Sequence, residues 1–202
     1  MRMEEYAYVL DFLPTGKPMS RSFEPIAQVL GEKYFTLLEV IIKKDKKVSI
    51  GQKIGIGREN REFVEKIKRR IQFNELTSTS KSTLNKVLEE IVESRESEFV
   101  NFFNRCGPMT LRLHQLELLP GIGRKHMEEI LREREKRPFE SFDDIKNRIS
   151  LIPDPVKTLI DRIMLELEGR DKYYLFVRPP TFSREQGRKS QYGNRRYHRN
   201  VG

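Results

Sequence analysis

A proline, a glycine, a branched apolar residue and a second glycine in succession, Leu119-Pro120-Gly121-Ile122-Gly123, leave the backbone few options. Pro120 lacks an amide donor and ends a helix running into it. Gly121 and Gly123 admit positive φ and place no Cβ over the turn. Leu113, Leu116 and Leu119 before the turn, with Ile130 and Leu131 after it, recur near helical spacing. That pattern predicts two short helices burying apolar faces against each other. Backbone N–H groups then point outward at the start of the second helix, where they attract phosphate. Arg124 and Lys125 follow immediately and add positive charge, whereas a neutral imidazole at His126 adds no fixed charge. The alternative is a glycine-capped connector between core helices.

The chain has 202 residues and a net charge of +9, and the charge is unevenly placed. Residues 170–202 hold nine basic and two acidic side chains, whereas residues 111–169 hold 11 basic and 12 acidic ones. Any phosphate affinity at the glycine turn must therefore come from local geometry rather than from a general positive field. A single cysteine, Cys106, excludes an intramolecular disulfide and a multi-cysteine zinc site, and fits a reducing cytosol. His114, His126 and His198 have no carboxylate or cysteine cluster at ligand spacing, so neither a metal nor another cofactor is expected. The acidic N-terminus lacks a signal-like apolar core, and no apolar run is long enough to span a bilayer. A cytoplasmic protein without membrane contact is expected.

Aromatic and branched residues bounded by turn residues predict strands over residues 5–13, 26–30 and 34–42, with a glycine-punctuated strand within 50–57. Phe63, Ile67 and Ile71 stand four apart, which predicts a helix over 62–71 carrying Lys66, Lys68, Arg69 and Arg70. Residues 173–178 return to strand character and are expected to close the sheet. Residues 76–169 read as helical, with Phe99, Phe102 and Phe103 as support for the glycine turn and Ser141 as an N-cap. A second turn, Leu151-Ile152-Pro153-Asp154-Pro155, has lost its glycines; its acid and proline suit packing rather than phosphate capture. Residues 179–202 mix arginines with Phe182, Tyr192 and Tyr197, a composition that favours an extended basic tail. The expected fold is α+β: a small OB-like β-barrel over residues 1–75, a helical domain with paired hairpins over 76–169, and the tail.

The turn sequence resembles the helix-hairpin-helix modules of DNA uptake and repair proteins, and Arg137-Pro138-Phe139-Glu140-Ser141-Phe142-Asp143-Asp144-Ile145 resembles the link between paired hairpins. The resemblance implies that the amides of Gly121 and Gly123 hold a backbone phosphate without reading bases. Met127 stands where that family usually has a small residue, and His126 where many members place a lysine. The segment from Ile50 to Gly57 is reminiscent of the turn into a barrel strand of OB and S1-like domains, which bind nucleic acid. Taken together, the Glu5–Asp11, Glu24–Gln28 and Tyr34–Glu39 stretches, the glycine turn and Pro138–Phe142 resemble an archaeal family of uncharacterised proteins, domain of unknown function 655. The resemblance covers roughly residues 1 to 178 and implies a small barrel joined to paired hairpins, with no catalytic residues.

The leading expectation is a non-enzymatic, largely sequence-independent binder of RNA or DNA. Its candidate contacts are Leu119, Gly121, Ile122, Gly123, Arg124 and Lys125 at the turn, Lys66, Arg69 and Arg70 beside the barrel, and Arg188, Lys189, Arg195 and Arg196 in the tail. The turn also resembles that of base-excision glycosylases, which implies an alternative: Lys125 as an amine nucleophile with Asp143 as the assisting carboxylate. A third reading is an adaptor whose acidic helices at 84–98 bind a protein of the transcription or translation apparatus.

Overall fold

The computed structural model describes residues 3–16 and 24–179. Aromatic and aliphatic runs near the N-terminus build β1 (Tyr6–Leu13), β2 (Ile26–Gly31) and β3 (Leu37–Ile42), followed by β4 (Lys53–Gly55) and β5 (Val64–Arg70). All neighbours are antiparallel, in the order β4-β1-β2-β3-β5. Register shifts in β1 between Val9 and Asp11, and twice along the β3–β5 pair, bend the strands. The result is a curled half-barrel whose outer strands, β4 and β5, are not bonded to each other.

The curl explains why every position of β2 and β3 is buried. Ala7, Val9, Val29, Val40, Ile54 and Val64 fill the hollow of the sheet. The alternate set, Tyr8, Leu10, Leu30 and Leu37, faces the helices and belongs to one core with Leu84, Leu88, Phe99, Ile130 and Ile163. Hence the sheet and the helices share a continuous apolar interior.

Residues 62–71 are not the expected helix. Phe63, Val64 and Ile67 pack on the hollow of the sheet while Ile71 joins the core under the helices, because the register shifts along β3–β5 break the alternation of a regular strand and leave a spacing of four. Pairing with β3 satisfies the backbone, and β5 carries Lys66, Arg69 and Arg70. Residues 173–178 are not a strand either. Glu166 takes up three successive N–H groups of this segment, leaving them unavailable to a neighbouring strand. The segment nevertheless reaches the sheet: Val177 is buried and the Arg178 N–H donates to the Tyr34 carbonyl at 3.1 Å.

Five helices follow: α1 (Ser78–Ser94), α2 (Glu96–Arg105), α3 (Arg124–Lys136), α4 (Phe142–Arg148) and α5 (Pro155–Leu167). Thr77, Ser141 and Asp154 cap α1, α4 and α5, each accepting a backbone N–H from the first turn at 3.0 Å. The Ser141 cap is the one expected. The helix expected before the glycine turn is a single 3-10 turn, Gln115–Leu118, preceded by a ribbon of Pro108–Thr110 with Leu113–His114. Gln115 and Gly107 bond to each other through backbone and side chain, which pulls residues 107–115 into a narrow loop and leaves no length for a helix. Arg188, Lys189, Arg195 and Arg196 lie outside the described residues. Among those described, no helix is long and apolar enough to cross a membrane.

Candidate functional site

The glycine turn is anchored from beneath by Leu119 and Ile122, both buried, and closed by the Ile122 N–H to the Leu119 carbonyl at 3.0 Å. Gly121 has φ +80°, as expected, and a Cβ there would lie 2.8 Å from Pro153. The second turn therefore packs against the first at the one point where a side chain is excluded. Gly123 departs from expectation: with φ −89° and ψ −179° it is extended, a conformation open to any residue. Nothing lies within 4 Å of the position its Cβ would take.

Gly123 is the N-cap of α3, and it offers no side-chain acceptor. Among the described residues, no acceptor meets the N–H groups of Gly123, Arg124, Lys125 or His126; the Met127 N–H is the first to bond back, to the Gly123 carbonyl. The first turn of α3 holds no acid, whereas α1, α4 and α5 are capped and α2 carries Glu96 and Glu98 in its first turn. Arg124 and Lys125 are exposed beside these amides. Arg124 reaches Glu128 at 3.0 Å, a solvent-screened pair that holds it only weakly. His126 Nδ1 lies 3.2 Å from the Gly121 carbonyl, a contact that requires the proton on Nδ1. Open amides, helix dipole and two exposed cations together give this surface the chemistry that suits an anion.

The second turn is chemically closed. Asp154 occupies the start of α5 and pairs with Lys146 at 2.7 Å. Burial alone would raise its carboxyl pKa, but Lys146 and the amides of Lys157 and Val156 outweigh that and hold it below the usual range.

The basic residues of β5 do not form one open patch. Lys66 faces Glu24 at 3.9 Å, and Arg69 bonds Glu39 at 2.9 Å and Glu75 at 2.6 Å. Arg70 donates to the carbonyls of Arg178 and Pro179, tying the C-terminal segment to the sheet. Burial and the neighbouring Arg178 push its pKa down. Arg69 and Arg70 thus serve the fold. Lys125 and Asp143 share no hydrogen bond or ion pair; Asp143 is exposed and lies 3.8 Å from Lys146. The burial that would turn an amine into a nucleophile is not supplied at Lys125.

Three buried charged side chains that fix the surrounding loops carry little sequence signal. Arg162 is buried in α5, bonds Glu166 at 2.7 Å, Asp171 at 2.7 Å and the Tyr173 carbonyl at 2.5 Å, and donates to the Leu118 carbonyl at 3.1 Å. It therefore links the entry of the glycine turn to the C-terminal segment. Glu166 receives its N–H bonds from that segment, and Glu4, buried near the N-terminus, receives those of Lys33, Tyr34 and Thr36. The only hint is the i, i+4 spacing of Arg162 and Glu166 within an otherwise apolar helix.

Comparison with known proteins matches residues 3–178 to the family described as protein of unknown function, DUF655. The chain is 45% identical over 179 residues to the uncharacterised protein MJ0038 of Methanocaldococcus jannaschii, covering 88% of this chain and 81% of that one. It is also similar to the crystal structure of Af1531 from Archaeoglobus fulgidus, with a TM-score of 0.79 and 47% identity over 87% of this chain and all of that one. A family match across nearly the whole described chain, with two relatives of this similarity, means that the chain belongs to the DUF655 family.

Proposed function

We propose that this protein binds RNA or DNA without catalysing a reaction, taking a backbone phosphate on the first turn of α3. The observation that carries the reading is the uncapped, acid-free start of that helix, with Arg124 and Lys125 exposed on it. Gly121, Ile122 and Leu119 shape the turn, Gly123 keeps its amide face uncovered, and the packed second turn fixes its position. In this reading the turn is of the helix-hairpin-helix kind, with its first helix shortened to a 3-10 turn, and the half-barrel is OB-like. Contact through phosphates makes recognition largely independent of sequence. A solvent-exposed Lys125 supports electrostatic contact better than covalent chemistry.

Filter binding of single- and double-stranded RNA and DNA across a salt series tests this. The Arg124→Ala, Lys125→Ala double variant is expected to keep its stability, because both side chains are exposed. It should lose affinity uniformly across sequences, with the salt slope falling by about 0.9 for each duplex phosphate contact removed. An unchanged slope would make the turn structural only. Weak, salt-insensitive binding by the wild type would favour a protein-binding adaptor instead.

A further inference from the structure

A cleft of about 600 Å³ opens between the β2–β3 turn, the start of α2 and the C-terminal segment, away from the glycine turn in sequence. Tyr34 lines one side, Phe99 and Phe102 another, and Phe176 a third. The Phe176 ring meets Phe99 at 5.5 Å and Phe102 at 5.0 Å, both edge to face. Tyr34, Phe102 and Phe176 are only half buried, so aromatic surface remains open. Such surface in a folded protein is stabilised by stacking a flat partner on it.

The walls are fixed before any partner arrives. Glu4 gathers the Lys33, Tyr34 and Thr36 amides at 2.9 to 3.2 Å and Glu166 gathers those of residues 175–177 at 2.8 to 3.0 Å. The Arg178 N–H to Tyr34 carbonyl bond joins the two loops. Gly31 leaves the space that the Glu4 carboxylate needs, and Phe35 is held at φ +51°, a conformation that side chains rarely adopt. Two buried carboxylates spent on two loops give a preorganised aromatic cleft.

Charge selects the partner. Arg95 lies over Phe35 and Phe99 and is paired to Glu98 at 2.8 Å, so its charge is balanced. Lys33 is exposed at the mouth, has no carboxylate partner among the described residues, and sits 5.8 Å from the Tyr34 ring centroid. With Arg95 balanced by Glu98, Lys33 leaves the cleft one net positive charge, which disfavours a quaternary ammonium, and a purely apolar peptide would strip water from Lys33 without return. A nucleobase with its attached phosphate satisfies both the rings and the lysine. Moreover, the chain leaves the described region at Pro179, one residue beyond the Arg178 bond to Tyr34. In sequence, Arg184, Arg188 and Lys189 follow.

We infer that this cleft stacks an unpaired nucleobase, making the protein a binder of single-stranded nucleic acid; the inference rests on the nucleic-acid reading of the α3 turn and extends it to a second contact. The test uses the full chain and a single-stranded RNA dodecamer carrying 2-aminopurine, read by fluorescence and by filter binding. Tyr34→Leu keeps apolar bulk and leaves the backbone bonds of residue 34 in place, while Lys33→Glu alters only an exposed side chain. The wild type should quench the fluorophore differently from duplex RNA of the same length. Tyr34→Leu should weaken single-strand binding about tenfold with an unchanged salt slope, as expected for a lost stack. Lys33→Glu should weaken it with a reduced slope. If both variants bind and quench like the wild type while Arg124→Ala, Lys125→Ala still weakens binding, the cleft inference is overturned and the phosphate reading stands. If the wild type binds no nucleic acid at all, both fall together.

Discussion

Arg162 heads the fully buried side chains by size, and a charged group in that position needs hydrogen-bond partners and a counter-charge. Each of its three nitrogens has a partner: Nε donates to Glu166, Nη1 to Asp171 and the Leu118 carbonyl, and Nη2 to the Tyr173 carbonyl. Arg162→Met should therefore lower the unfolding free energy by about 3 kcal/mol, because Glu166 stays buried without its cation; urea unfolding measures this. His114 gives a pH dependence of known sign. Burial, then the Arg134 guanidinium, pull its pKa below the ordinary 6.5 against an opposing Glu117, while its Nδ1 accepts the Leu116 N–H at 3.1 Å. The unfolded imidazole takes up a proton near 6.5 and the folded one does so only at lower pH. Its stabilisation is thus complete above about 6.5 and is lost as pH falls through the folded value. Melting temperature should drop between pH 7.5 and 5.5, and His114→Asn, which can still accept the N–H bond, should flatten that drop. Neither residue announced its role in sequence. An arginine four before a glutamate is an ordinary exposed helix pair until a distant segment covers it.

Helix starts and strand edges show why some elements were legible and others not. Ser141 and the strands near residues 5–13, 26–30 and 34–42 were readable because a cap and an aromatic or branched run closed by turn residues are local signals. β5 misled because its register shifts against β3 replace the alternation of a strand with apolar residues four apart, a spacing that locally reads as helical. Residues 173–178 misled because their amides bond a side chain from α5, which no local pattern records. Within the glycine turn the two glycines looked alike in sequence yet differ in structure. Gly121→Ala should cost about 2 kcal/mol, from its positive φ and from Pro153. Gly123→Ala meets no atom and keeps its backbone angles, so its cost should stay below that of Gly121→Ala in the same thermal melt.

A core shared between the half-barrel and the helices should unfold the described chain in one cooperative transition rather than as separate domains. The last described contacts, Arg178 to Tyr34 and Arg70 to Pro179, lie before the six basic residues of 181–202. Deleting 181–202 should accordingly leave the melting temperature nearly unchanged while weakening nucleic-acid binding and flattening its salt dependence. Function and stability are expected to oppose each other at one position, Gly123, where an N-cap is missing and space for one is free. Gly123→Asp supplies a carboxylate to the same amides that would hold a phosphate. Paired melts and salt-dependent binding of this variant against the wild type should show stability up by about 0.5 to 1 kcal/mol, with affinity and salt slope both reduced. A more stable protein that binds nucleic acid with unchanged affinity and slope would contradict phosphate capture at the start of α3.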